Sequence, residues 1–213
     1  MYECEESFET VFLKNNNTVP TSGSCFTDKP SETNEWRKAS EHCSKISLVW
    51  AVGGSTIQDF PNDIAYPLGR NASTSKYFYL EIHYDNPAIK KGVRDFSGIK
   101  FYATTDYRNV EFGIYTHGAV SNTTGIVIPP GAVDFRYEST CHKECFSTLF
   151  DTTEEVKVFA AMPHTHLHGT AVRTTVVQEG EEVAFITNNQ NYDFNYQYTN
   201  FLQKPVVMKR VTC

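Results

Sequence analysis

The chain has 213 residues, enough for one large or two small domains, each with a core of its own. Hydrophobic residues at 40% and charged residues at 21% are ordinary for a folded soluble protein. A net charge of −6 speaks against a nucleic-acid partner, whose phosphates attract a basic surface, and no apolar run of about 18 residues offers a membrane span.

Residues 1–45 carry Cys4, Cys25 and Cys43 among Pro-, Asn- and Ser-rich stretches. Met1 is followed by YECEE, which has neither the basic start nor the apolar stretch of a signal peptide. An exposed loop is expected at Asn15, Asn16 and Asn17, and one short helix over 31–41. Strands then dominate the expectation. Residues 46–52 form a short apolar run closed by Gly53 and Gly54, and 77–84 another, ended by Asp85, Asn86 and Pro87. Further strands are expected over 98–104, 110–115, 124–128, 156–161, 171–177 and 183–187. Glu179 and Gly180, between two alternating runs, read as a tight hairpin turn. Strands separated by Gly, Pro and Asn turns at short spacing are the pattern of an all-β sandwich or jelly roll. The polar break KKGVRD at 90–95 divides the chain best, into domains 1–92 and 93–213.

Six cysteines (Cys4, Cys25, Cys43, Cys141, Cys145 and Cys213) form an even set without zinc-type pairing. Asn-x-Ser/Thr sequons stand at Asn16, Asn71 and Asn122, each in a polar, turn-rich stretch. Together with the Tyr-rich strands they point to secretion or to a secretory lumen, and a secreted chain without a leader reads as a mature form or an internal piece.

The histidines carry the chemistry. In a strand, residues i and i+2 share a face, so His164 and His166 in AMPHTHLHG (161–169) project side by side if the strand runs that far. Two neutral imidazoles reach one ion, and they suit copper, zinc, iron and nickel alike. The same spacing also serves two hydrogen-bonded surface histidines. His168 is a candidate third ligand, although Gly169 suggests that the chain is already turning there. His83 follows Glu81 by two residues in an apolar run, and by itself reads as a core or rim residue. His42, His117 and His142 have no partner at ligand spacing and read as surface residues. No Ser-His-Asp arrangement and no glycine-rich phosphate loop is present.

The run YLEIHYDNP at 79–87 strongly resembles the LEVHYxNP motif of the copper type II, ascorbate-dependent monooxygenases. In the order of that family there follow SGIKFY (97–102), IPPG (128–131), HTHL (164–167) and NYDFNYQ (191–197), ahead of KPV at 204–206. The resemblance covers nearly the whole chain and implies two antiparallel β-sandwich domains of jelly-roll type, both incomplete here, each holding one copper. It implies ascorbate as electron donor, and O2 with a small molecule as substrates. His83 then matches one ligand of the electron-transfer copper, and His164 and His166 match two ligands of the oxygen-binding copper. Imidazole holds copper in both oxidation states, and the methionine that completes the family's second site favours Cu(I). Met162 stands where the peptide-hydroxylating branch carries a carboxylate-binding arginine, so a dopamine-hydroxylase-like branch and an amine-type or unknown small substrate are expected.

The resemblance also has gaps. The family's His-His pair lies ahead of the segment matching Met1 to Cys4, and its methionine ligand, in a Glu-Met-Cys motif, lies beyond Cys213. Met208, within PVVM, reads as a packing residue, and Lys209 and Arg210 stand where the family has a Gly-Asp turn. By the family's pattern Cys4 pairs with Cys43, while Cys25, Cys141, Cys145 and Cys213 find partners outside this stretch. An internal piece of a monooxygenase, inactive by itself, is therefore one expectation. A secreted, glycosylated structural or interaction protein with a degenerate monooxygenase fold is the other. A zinc hydrolase is a distant third, because the sequence shows no third ligand with a Glu or Asp base nearby.

Overall fold

A computed structural model describes residues 1–14, 40–69, 75–119, 126–142, 144–145 and 155–209. The loop at Asn15–Asn17, the three sequons, Cys25, Cys213 and all of the expected helix except Ser40 and Glu41 lie outside these residues. The described architecture is all-β, with strands β1 (Tyr2–Glu3), β2 (Lys45–Ile46), β3 (Ile64–Ala65), β4 (Phe78–Tyr79), β5 (Val110–Glu111), β6 (Glu155–Ala161), β7 (Val172–Gln178), β8 (Glu181–Asn189) and β9 (Asn200–Lys209). A three-residue helix, α1 (Glu6–Phe8), leads into a π-helical turn at Glu9–Lys14, neither of which the sequence reading foresaw. Two units are distinguished, one of Met1–Val49 with Asp59–Ile114, the other of Trp50–Gln58 with Tyr115–Cys213.

In the first unit β1 is the middle strand of a three-stranded antiparallel sheet, with Tyr2 opposite both Ile46 and Tyr79. A disulfide joins Cys4 to Cys43, the pairing that the resemblance implies, and with Phe8 these sulfurs form the buried centre. Tyr2, Val11, Tyr77 and Tyr79 pack around it, Phe8 against Tyr77 at 5.5 Å between ring centres. The buried Glu3 carboxylate is held through Oε2, which accepts from Lys45 Nζ at 3.1 Å and Ser75 Oγ at 2.8 Å. Such a charge is tolerated below the surface because its partners offset part of the lost hydration.

β3 and β5 pair in parallel, Ile64 opposite Val110, across a connection long enough to permit that direction. This is the one parallel pair among the described residues, where antiparallel pairing was expected. Phe112 sits 4.6 Å from Phe60 and 5.3 Å from Tyr66, so an aromatic cluster closes the two-residue ladder. Of the apolar run at 46–52 only Ile46 joins a ladder, the run at 77–84 pairs over Phe78 and Tyr79, and 98–104 and 126–128 join no ladder. A strand exists only where a neighbour accepts its N–H groups, and β-propensity by itself supplies no neighbour.

The second unit holds the long strands. The β7–β8 hairpin turns at Glu179 (φ 51°) and Gly180 (φ 84°), the two left-handed residues of a type I′ turn, as the sequence predicts. β6 pairs antiparallel with β9, from Glu155 opposite Lys209 to Ala161 opposite Asn200. The register breaks between Val158↔Val206 and Ala160↔Phe201, and Pro205, with no N–H to donate, falls within that break.

Candidate metal centre

β6 stops at Ala161, and Met162 and Pro163 carry the chain out of the ladder to His164-Thr165-His166. The strand expected over 156–161 ends where it was expected to, and Pro163, which has no N–H to donate, keeps the ladder from running on to His166. Side-by-side projection is still achieved. The two imidazoles lie 5.3 Å apart, centre to centre, with their planes at 79°. Both residues are exposed.

Packed groups hold this short segment. The buried Tyr192 hydroxyl accepts from Thr165 N–H at 3.1 Å and donates to Thr165 C=O at 2.9 Å, clamping the peptide between the histidines. Downstream, Gly169 N–H donates to His166 C=O at 2.8 Å and closes a turn at Leu167 and His168. A Cβ at Gly169 would fall 2.0 Å from Thr165 Cγ2, so glycine lets this turn fold back on the ligand segment.

His164 Nδ1 meets Oε1 of Gln197 at 2.5 Å, and Gln197 is only 3% exposed. The amide nitrogen of Gln197 donates to Phe194 C=O at 2.7 Å, which fixes its oxygen toward the imidazole. An amide oxygen only accepts, so Nδ1 carries a proton, and in the neutral ring Nε2 then has the free lone pair. A neutral imidazole with one nitrogen hydrogen-bonded and the other able to ligate is the usual form of a metal-binding histidine. By donor chemistry, then, the pair fits a transition-metal ion, copper included. Tyr192 and Gln197 both belong to the NYDFNYQ stretch, and the sequence reading gave neither of them a role.

His83 stands in the first unit, beyond the end of β4, its Nε2 donating to Glu81 Oε1 at 2.8 Å. The expected run through 84 is cut short because Tyr79 is the last residue to pair. Among the described residues no three His, Cys, Asp or Glu side chains gather as a metal site, so neither His168 nor another acidic or thiol group completes the pair. Two of the other histidines are engaged elsewhere. His42 Nδ1 contacts Ser7 Oγ at 2.9 Å, and His117 lies nearly parallel to Tyr115 with Nε2 3.2 Å from Ser139 C=O. Cys141 is half-buried and Cys145 exposed, and neither is disulfide-bonded.

Two domain families match the chain: copper type II ascorbate-dependent monooxygenase, N-terminal domain, over residues 1–91, and the C-terminal domain of the same enzymes over 110–211. The chain belongs to the copper type II ascorbate-dependent monooxygenases. Copper and ascorbate are the cofactors that this family's description names. Among curated relatives, a DBH-like monooxygenase protein 1 of Mus musculus is 33% identical over 76% of the chain and 26% of its own length. A dopamine beta-hydroxylase of Canis lupus familiaris is 30% identical over 97% of the chain and 30% of its own. A tyramine beta-hydroxylase of Caenorhabditis briggsae is 29% identical over 92% and 32%. The chain thus spans less than a third of the length of these relatives. No solved structure matches it.

Proposed function

We propose that this stretch forms part of the catalytic core of a monooxygenase that hydroxylates a C–H bond of a small, amine-type substrate with O2. His164 and His166 are two ligands of the oxygen-binding copper, and His83 is one ligand of the electron-transfer copper. The observation that carries the reading is the His164–His166 pair with His164 Nδ1 held by Gln197, a donor set prepared for a metal before the metal arrives. The copper would supply one-electron chemistry with oxygen, drawing its electrons from ascorbate. The chain's own residues orient the imidazoles, hold the proton on His164 Nδ1, and keep the peptide between the ligands in one position through Tyr192.

We place the domain boundary between Gly92 and Val93, with 1–92 in the first copper domain and 93–213 in the second. The matched regions 1–91 and 110–211 support it, while Trp50–Gln58 groups with the second unit. Two β-sandwiches of jelly-roll type are the architecture proposed for the complete domains. An extracellular or vesicle-lumen setting agrees with the Cys4–Cys43 disulfide, and no helix among the described residues is long and apolar enough to cross a membrane. The amine-type preference rests on Met162 in place of an arginine, since a thioether offers a substrate carboxylate no charge-assisted partner.

Copper titration of the chain, followed by electron paramagnetic resonance of Cu(II), tests the assignment. Nitrogen hyperfine structure is expected, and His164→Ala or His166→Ala should weaken binding at one of the sites by about tenfold or more. Copper uptake that ignores both substitutions would sink the site, and would favour the degenerate, non-catalytic reading of the fold.

A further inference from the structure

We infer that Gln197 is a positioning residue for the metal centre, setting the tautomer of His164, and that the turn at Gly53–Gly54 is the support that holds Gln197 in place. The inference rests on the reading that His164 and His166 bind copper, and it reaches residues far from them in sequence.

The geometry is specific at each link. Gln197 is buried, and both ends of its carboxamide are used: the nitrogen donates to Phe194 C=O at 2.7 Å and the oxygen accepts from His164 Nδ1 at 2.5 Å. A flipped amide would set a donor against the imidazole N–H and a carbonyl against a carbonyl, so one orientation is strongly preferred. Phe194 itself lies in a turn in which Asn195 N–H donates to Asp193 Oδ1 at 2.8 Å and Tyr196 N–H to Asp193 C=O at 3.0 Å.

Behind that turn lies a segment that precedes it by most of the chain. Gln197 N–H donates to Val52 C=O at 3.0 Å. Gly53 has φ of +84°, and a Cβ there would come within 2.4 Å of Asn195 C=O and 2.6 Å of Tyr196 Cα. Two independent reasons therefore require glycine: the left-handed backbone and the contact of main chain with main chain. Any side chain at this position pushes back the loop that presents Gln197. Both loops belong to the same unit.

The direct readout needs no metal. In the copper-free chain, 15N chemical shifts of His164 should show a dominant Nδ1–H tautomer. Gln197→Leu should move it toward the Nε2–H form that a solvent-exposed imidazole prefers, and lower copper affinity by about ten- to a hundredfold. Gln197→Glu gives up the donor to Phe194 C=O but keeps an acceptor for the imidazole, now a charged and stronger one, so it should retain Nδ1–H and recover part of the affinity. Gly53→Ala leaves every polar group intact and should still lower the affinity by displacing the loop. A folded Gln197→Leu chain that keeps the Nδ1–H tautomer overturns the role of Gln197. If that variant does not fold, Gln197→Glu decides, and a shift to Nε2–H there overturns it equally. Unchanged copper affinity in Gly53→Ala overturns the supporting role of the turn. Copper that fails to bind the unsubstituted chain would count against the proposed function instead, because the tautomer is read without it.

Discussion

Tyr192 shows how one side chain can define a ligand segment. Its hydroxyl satisfies both polar groups of the Thr165 peptide, and its ring is buried. Tyr192→Phe would keep the ring and leave that peptide unpartnered. We predict a loss of about 1–3 kcal/mol in denaturant unfolding, together with weaker copper binding. A stability unchanged within error would show that water replaces the hydroxyl. Tyr115 allows a test by pH. Burial first, and then the neighbouring Cys141, push its phenol up from 10.0 to about 12. The folded protein thus holds this proton more tightly than the unfolded chain does. The associated stability is present below about pH 10 and is lost as pH rises through about 12. Melting temperatures between pH 9 and 12 should fall more steeply for the native chain than for Tyr115→Phe, and parallel curves would refute the shift.

Among the elements, β6, β7, β8 and the turn between β7 and β8 were legible because their apolar and polar residues alternate between turn residues. β9 was not, since Pro205 and the polar Asn200, Gln203 and Lys204 mask a strand that its pairing with β6 creates. The apolar run at 98–104 was legible as strand and does not pair, because ladder formation depends on a neighbour that residue type does not specify. In the first unit one covalent link substitutes for a large core. Cys4 and Cys43, 39 residues apart, close a loop whose lost entropy in the unfolded chain is worth about 4 kcal/mol. Replacing both by serine should therefore lower the unfolding free energy of the sheet β2-β1-β4 by roughly that amount. Hydrogen exchange at Cys4 and Glu5, whose N–H groups donate to Tyr77 and His42 carbonyls, would report it. Protection that survives the double substitution would shift the credit to Phe8 and its tyrosines.

For the whole molecule, the described residues bring two candidate ligands, His164 and His166, to one place and set His83 with Glu81 in the other unit. Two imidazoles hold a copper ion less firmly than a full ligand set, and the turnover proposed above draws on both coppers. The 213-residue chain supplied with copper and ascorbate is therefore predicted to consume no oxygen above the rate of free copper. Sustained, substrate-dependent consumption would refute this, and would mean that the chain completes its sites with residues outside the described set.

By itself the sequence determined the family, the all-β class, the three candidate ligands and the Cys4–Cys43 pair, because ordered motifs and side-chain types are local and survive translation into strands and turns. The tertiary structure decided which strands found partners, and which distant groups stand behind the candidate ligands. Gln197 and the Gly53 turn meet His164 only after the chain has folded back. A hydrogen bond or a main-chain contact between segments so far apart leaves no spacing in the sequence by which to read it.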